Sequence, residues 1–305
     1  VYIRILGSAA GGGFPQWNCN CTNCKGVRDG SINALRRSQS SICVSADGKQ
    51  WVLFNASPDI LSQIAQFSPL QPQAQIRGSG VAAIVLMDSQ IDHCTGLLML
   101  REGCPHTVYC SDMVHQDLNS GFPLFPMLKH WNGGLMHKTI ELETDNSFVI
   151  DGIDGLRFSP IPVSGKAPPY SPHRHNPHVG DNIGIRIEDT RSGKQLFYCP
   201  GLGNMDDRIM TELSNADCLL VDGTFWSENE MSESGVGDKT AASMGHLPQS
   251  GSGGMIELLR PLKNSRKVLI HINNTNPILR EDSPQRQILD SENIEVAFDG
   301  MDISL

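Results

Sequence analysis

Two small groups of residues in this 305-residue chain are of types that bind metal ions. The first is Cys19-Asn20-Cys21-Thr22-Asn23-Cys24, three thiols at C-x-C-x-x-C spacing. Thiols this close can converge on one tetrahedral zinc with Zn–S bonds of about 2.3 Å, and a closed sulfur site holds structure rather than reacting. A fourth ligand must come from elsewhere, and His246, in Met244-Gly245-His246-Leu247-Pro248, is the candidate. Buried or free cysteines without metal are the plainer alternative. A redox role is disfavoured, because no thioredoxin-like βαβ context surrounds the motif. The second group is Asp92-His93, inside Val81 to Gly96, VAAIVLMDSQIDHCTG. A carboxylate beside an imidazole suits a borderline divalent cation. The plainer reading of this pair is a helix cap.

The elements that must position these groups are strands. Val81 to Met87 is an uninterrupted apolar run, short and β-branched, which predicts a buried strand ending at Asp88. The C-terminal end of such a strand is where α/β folds usually place chemistry. Tyr2 to Leu6 predicts an opening strand, and Gly7 to Gly13 turns away from it without the G-x-G-x-x-G or Gly-Lys-Ser/Thr of a phosphate loop. Ser40–Ala46 and Gln50–Asn55 form a predicted hairpin around Asp47-Gly48-Lys49, and Ile183–Glu188 and Gln195–Cys199 a second. Ser57-Pro58-Asp59 opens a predicted helix through Phe67, with Asp59 as its cap. Phe158–Val163, Cys218–Asp222 and Lys267–Ile272 complete the strands, the last carrying His271 next to its end.

Two loops stand out. Asn119 to Gly134 is rich in Pro and Gly and carries Phe122, Phe125 and Trp131, which could line a pocket or fill a core. Regular structure is not expected there, and His130 and His137 lack a site-like spacing. The Pro-rich segment after Gly165 holds His173, His175 and His178, a candidate for metal binding, proton movement or closure over a site, or simply a solvated loop.

Composition narrows the function. The net charge of −9, without a Lys/Arg block, argues against nucleic acid as a partner. No apolar run approaches the roughly 20 residues that cross a bilayer. VYIRIL runs directly into the glycine loop without a signal-like region, so the expected location is the cytoplasm. Nine cysteines, an odd count with three clustered, fit metal in a reducing compartment better than disulfides.

The stretch around Asp92-His93 resembles the His-x-His-x-Asp-His signature of the metallo-β-lactamase superfamily, with Asp88 and Gln90 in place of the leading histidines. In that superfamily the leading histidines hold one metal and the Asp-His pair the other. The aspartate that bridges the two metals is replaced by Gly201. The resemblance therefore implies one surviving active-site metal, held by Asp92, His93 and His271, the superfamily's last ligand following a strand like 267–272. It implies an αββα sandwich of two mixed β-sheets flanked by helices, where pattern alone supports only an α-plus-β class. A single domain over residues 1–305, with the knuckle at 19–24, is expected. Asp222, at the end of a buried strand, is read as a partner of a ligating histidine rather than a ligand.

GSAAGGGFPQWNCNCTNC, DSQIDHCTGLLMLRE, SGKAPPYSPH and LLVDGTFW together are similar to a family of pyrroloquinoline quinone (PQQ) biosynthesis proteins. A cyclic phosphodiesterase of phosphonate breakdown shares the knuckle and completes it with a distant histidine, which supports His246 by analogy. The resemblance implies a PQQ precursor, a cross-linked glutamate–tyrosine amino acid, as the small-molecule partner, alongside other pathway proteins. Two histidines and a carboxylate with open positions suit non-haem Fe(II) that must also bind dioxygen, although the same set could hold zinc hydroxide. The expected activity is an Fe(II)- and O2-dependent hydroxylase of the tyrosine ring, with a structural Zn2+ at the knuckle. Asp88 and Gln90 would then face substrate or water, and Lys166, Arg174 or Arg280 its carboxylates. A non-catalytic carrier of PQQ and a metal-dependent hydrolase are the alternatives.

Overall fold

The computed structural model describes residues 1–143 and 146–305. Among the described residues, thirteen strands form two sheets. They are β1 (Tyr2–Gly7), β2 (Ser41–Ser45), β3 (Trp51–Phe54), β4 (Val81–Val85), β5 (His106–Cys110), β6 (Leu135–Thr139), β7 (Leu156–Pro162), β8 (Ile183–Asp189), β9 (Gln195–Cys199), β10 (Cys218–Asp222), β11 (Arg266–Ile270), β12 (Ile294–Val296) and β13 (Asp302–Ser304). The first sheet runs β13-β1-β2-β3-β4-β5-β6 and the second β12-β11-β10-β9-β8-β7. Both are mixed: β3 to β6 and β9 to β12 are parallel, while the predicted hairpins β2–β3 and β8–β9 pair antiparallel.

Alternation along the strands explains the layering. On β4, Ala83 and Val85 enter the core between the sheets with Phe54, Phe158 and Tyr198, while Ile84 faces the outer helices with Leu97, Val114 and Leu124. On β10, Cys218 and Leu220 point inward, and Leu219 and Val221 meet Ile209, Leu213, Met255 and Leu259 of the helical layer on the other side. Strands buried on both faces read as continuous apolar runs, which is why they were predictable. The result is the αββα sandwich of the metallo-β-lactamase fold.

Two bridges tie one sheet to the other: Asp88 pairs with Asn182, and Ala9 with Ile272. The C-terminal ends of β4, β10 and β11 therefore open on one crevice.

Two local expectations are corrected. Asp59 stands at the cap position of the helix Ile60–Ala65, but its carboxylate accepts from the backbone and side chain of Gln39 instead of capping. Within 119–134, Leu124–Leu128 is helical, with Pro126 in the first turn, where its missing N–H costs nothing. Phe125 is buried in the outer core and Trp131 lies at the surface, so this segment packs rather than lines a pocket.

Candidate metal centre

Past β4 the chain turns sharply. Asn55 accepts from Met87 N, and Asp88 Oδ1 accepts from Gln90 N, which leads into the one-turn helix Ile91–Cys94. That turn is clamped onto 56–57: Ala56 N donates to His93 O, and Gly96 N to Ala56 O. A Cβ at Gly96 would lie 2.3 Å from Ser57 O, so the approach requires glycine. Gly11 of the opening glycine loop sits against the Asp92 carboxylate, where a Cβ would come within 3.2 Å. The loop's small residues thus make room for Asp92.

Three imidazoles meet in the crevice, each anchored through Nδ1. His93 Nδ1 lies 2.8 Å from Asp88 Oδ1 and 2.9 Å from Oδ2. His271 Nδ1 lies 2.9 Å from Thr224 Oγ1, which is 2.6 Å from Asp222 Oδ1. His246 Nδ1 lies 2.6 Å from Asp222 Oδ2. An oxygen at Nδ1 orients each ring and leaves Nε2 clear of that anchor. His93 Nε2 is buried without a hydrogen-bond partner among the described residues, 3.8 Å from Asp92 Oδ2, and His271 Nε2 is 3.3 Å from the same oxygen. Asp92, His93 and His271 thereby offer one carboxylate oxygen and two nitrogens within 4.8 Å of one another.

The electrostatics favour a cation at this point. Burial works against a charged His93, yet the fields of Asp88 and Asp92 raise its pKa to about 9. Burial likewise opposes ionisation of Asp92, but His93 and the hydrogen bond from His271 hold it well below the usual carboxylate range. A divalent ion would replace the proton on His93 and satisfy its orphaned nitrogen. The residues present fit such an ion.

Asp222, His246 and His271 form a second convergent trio. It is less suited to metal, because the fully buried Asp222 already accepts from Leu202 N and Thr224 and faces His246 Nδ1. This trio orients rings.

The group opens into a cavity of about 530 Å³ that Gln90, Gly201, Lys166, Arg174, Lys239 and Asn273 help to line. Arg280 stands apart, its guanidinium 3.6 Å from Asp282. The histidine loop sends none of its rings to the metal group. His173 is held 2.7 Å from Asp181, and His175 and His178 are exposed. His130 is exposed, and His137 stacks on His115.

At the knuckle the sulfurs of Cys19, Cys21 and Cys24 also lie within 4.8 Å of one another. Burial pushes the Cys24 thiol up to about 12, so a metal, not solvent, is what would hold it as thiolate. The structure does not bring His246 here. That residue is committed to Asp222, and the side chain facing the three sulfurs is Asn274. Sequence reasoning missed Asn274, Thr224 and the place of His246; the only signal was that Asn274 follows His271 by three positions.

Comparison with known proteins gives the family and the fold. Residues 50–272 match the family model described as a beta-lactamase superfamily domain. The chain is 63% identical over 305 residues, all of both chains, to coenzyme PQQ synthesis protein B of Pseudomonas syringae pv. syringae (strain B728a), and 62% identical, again over both full lengths, to that of Pseudomonas entomophila (strain L48). Among solved structures, Zn(2+)-bound PqqB from Methylobacterium extorquens superposes with a TM-score of 0.91 at 36% identity, covering 100% of each chain. A diphosphatase of the PhnP family shares the fold, with a TM-score of 0.66 at 19% identity over 99% of this chain and 96% of its own. The chain belongs to the coenzyme PQQ synthesis protein B family of the beta-lactamase superfamily.

Proposed function

We propose that this chain acts in PQQ biosynthesis, as one domain, by hydroxylating the tyrosine ring of a cross-linked glutamate–tyrosine precursor. The observation that carries the reading is the donor set. Two histidine nitrogens and one carboxylate converge on a point that opens into a substrate-sized cavity, and Asp88, Gln90 and Gly201 supply no second set of metal ligands. That set suits non-haem Fe(II), which when bound would bring dioxygen to the ring. One oxygen atom enters the ring and the other leaves as water, at the expense of two electrons and two protons from an external reductant.

The chain's own residues do the remainder. Asp88 and Thr224 hold the rings of His93 and His271 so that both present Nε2. His246, fixed through Nδ1 by Asp222, lines the cavity and accepts the phenolic proton of the precursor. Lys166, Arg174 and Lys239 put three cations on the cavity wall of a chain whose net charge is −9, and they pair with the precursor's carboxylates. The Cys19/Cys21/Cys24 knuckle holds a structural zinc. The described residues contain no helix long and apolar enough to cross a membrane.

The test is incubation of iron-loaded protein with the precursor, a reductant and ¹⁸O2. The expected product carries one labelled oxygen on the ring. A ring unchanged in oxygen content after aerobic turnover conditions would refute hydroxylation, and conversion that proceeds without oxygen would identify a hydrolase.

A further inference from the structure

We propose that Tyr170 and His173 are positioning residues. They pin the segment 163–182, which joins β7 to β8, onto the turn 88–90, and so set Lys166 and Arg174 at the cavity wall for the substrate's carboxylates. The proposal rests on the reading that those two cations meet carboxylates.

Segment 163–182 contains no helix or strand. An ordered connection longer than about 12–15 residues without regular structure is uncommon in a compact domain, and usually functional. The sheets hold its two ends: β7 stops at Pro162, and Asn182 bridges to Asp88. Lys166 and Arg174 line the cavity from either side of Tyr170 in the chain. Cations on an untethered loop recognise a ligand poorly, because binding must order the loop as well.

Two ties in the middle of the segment remove that cost. The Tyr170 hydroxyl donates to Ser89 O, in the turn between Asp88 and Gln90. Its ring meets Phe122 edge-on with centroids 5.6 Å apart, and a Cβ at Gly121 would come within 2.3 Å of Tyr170 O. The second tie is His173. Its Nε2 lies 2.7 Å from Asp181 Oδ1 and its Nδ1 3.8 Å from Asp117 Oδ1, and both carboxylates are only 1% exposed. Asp117 Oδ2 accepts from Ser89 Oγ at 2.6 Å, while Oδ1 has no hydrogen-bond partner among the described residues. Carboxylates buried this deeply need a partner, and the imidazole between them is placed to serve both. His173 thereby joins the far end of its own segment to the helix Asp112–Asp117 and, through Asp117, to the same Ser89 that Tyr170 reaches. Arg174 directly follows His173, and its guanidinium donates to Ala167 O, next to Lys166. The two cations therefore move with the pinned segment.

The experiment uses full-length, metal-loaded protein and titration calorimetry with the cross-linked glutamate–tyrosine precursor, beside a steady-state assay. Calorimetry reads the clamp whether or not the ring is hydroxylated. Tyr170→Phe, which deletes only the hydroxyl, and His173→Gln should each weaken binding by about 10-fold, raising KM while kcat changes by less than about twofold. In a Lys166→Gln/Arg174→Gln background, Tyr170→Phe should change Kd by less than about twofold, because the groups it positions are gone. An equal loss in both backgrounds would show that Tyr170 serves only the fold, and wild-type Kd in folded Tyr170→Phe and His173→Gln would overturn the clamp alone. A parent that binds the precursor no more tightly than the Lys166→Gln/Arg174→Gln protein does would overturn the reading of the cations, and the clamp with it.

Discussion

Among the described residues, the two candidate metal groups differ in every respect that sets chemistry, although one loop reaches both. At 19–24 the donors are three sulfurs from a single short segment, packed against the helical layer of the second sheet. At the crevice they are one oxygen and two nitrogens from segments 179 residues apart, facing a cavity. Soft, local, closed donors suit a permanent structural ion, whereas harder donors gathered from two sheets leave positions open. The second arrangement is assembled only by the fold, so its rings need outside anchors, and each has one at Nδ1. The knuckle gets its geometry from sequence spacing, and Asn274 reaches its three sulfurs from afar.

The sharpest way to break this contrast is to remove a ligand. His93→Ala should abolish binding of the active-site metal and with it ring hydroxylation, while the knuckle keeps its zinc; elemental analysis with an activity assay reads both. Loss of both metals together would show that the two groups are one cooperative unit. His246→Gln should leave metal content unchanged and lower kcat by about 10²- to 10⁴-fold, as for loss of a general base. A fall in zinc content in that variant would instead return His246 to the knuckle. Asp88→Asn should weaken active-site metal affinity by about 10- to 100-fold, measured by competition with a chelator, because the His93 ring loses its anchoring carboxylate. Unchanged affinity would mean that packing alone holds the ring.

The same contrast explains what could be read from the sequence. The knuckle and the strands are local: β10 runs over Cys218–Asp222 as its apolar pattern predicts, and the two hairpins turn where Asp47-Gly48 and Ser192-Gly193 allow. Asp92-His93 stands out in the sequence because it falls in the turn that follows a buried strand. His246 was not, since its partner Asp222 is 24 residues away and no periodicity tells a loop histidine which metal group it joins. Asp59 shows the same limit at small scale. Its position predicts a cap, but Gln39, brought in by the neighbouring turn, offers two donors and wins. Proline in 119–134 argues against regular structure, yet Pro126 falls in the first turn of Leu124–Leu128, where a missing N–H breaks no helical bond.

The smallest expected effect concerns the loop between the two groups. Glu230 is buried, accepting from Thr275 Oγ1 at 2.5 Å and from Trp226 N at 2.5 Å, and Thr275 directly follows Asn274. Burial raises its carboxyl from 4.5 to about 7, against the opposing hydrogen bonds. Between those values the folded chain binds a proton that the unfolded chain has lost, so this contribution is fully present below pH 4.5 and disappears as pH rises through about 7. Glu230→Gln keeps an acceptor for Trp226 and a donor for Thr275 but cannot ionise. Between pH 6 and 8 the wild type should therefore lose on the order of 1 kcal/mol of stability relative to Glu230→Gln, seen as diverging denaturation midpoints. Parallel curves would show that Glu230 ionises freely in the folded chain. A divergence that disappears when the knuckle zinc is removed would tie the glutamate to the sulfur site rather than to the crevice, which is the distinction the two groups turn on.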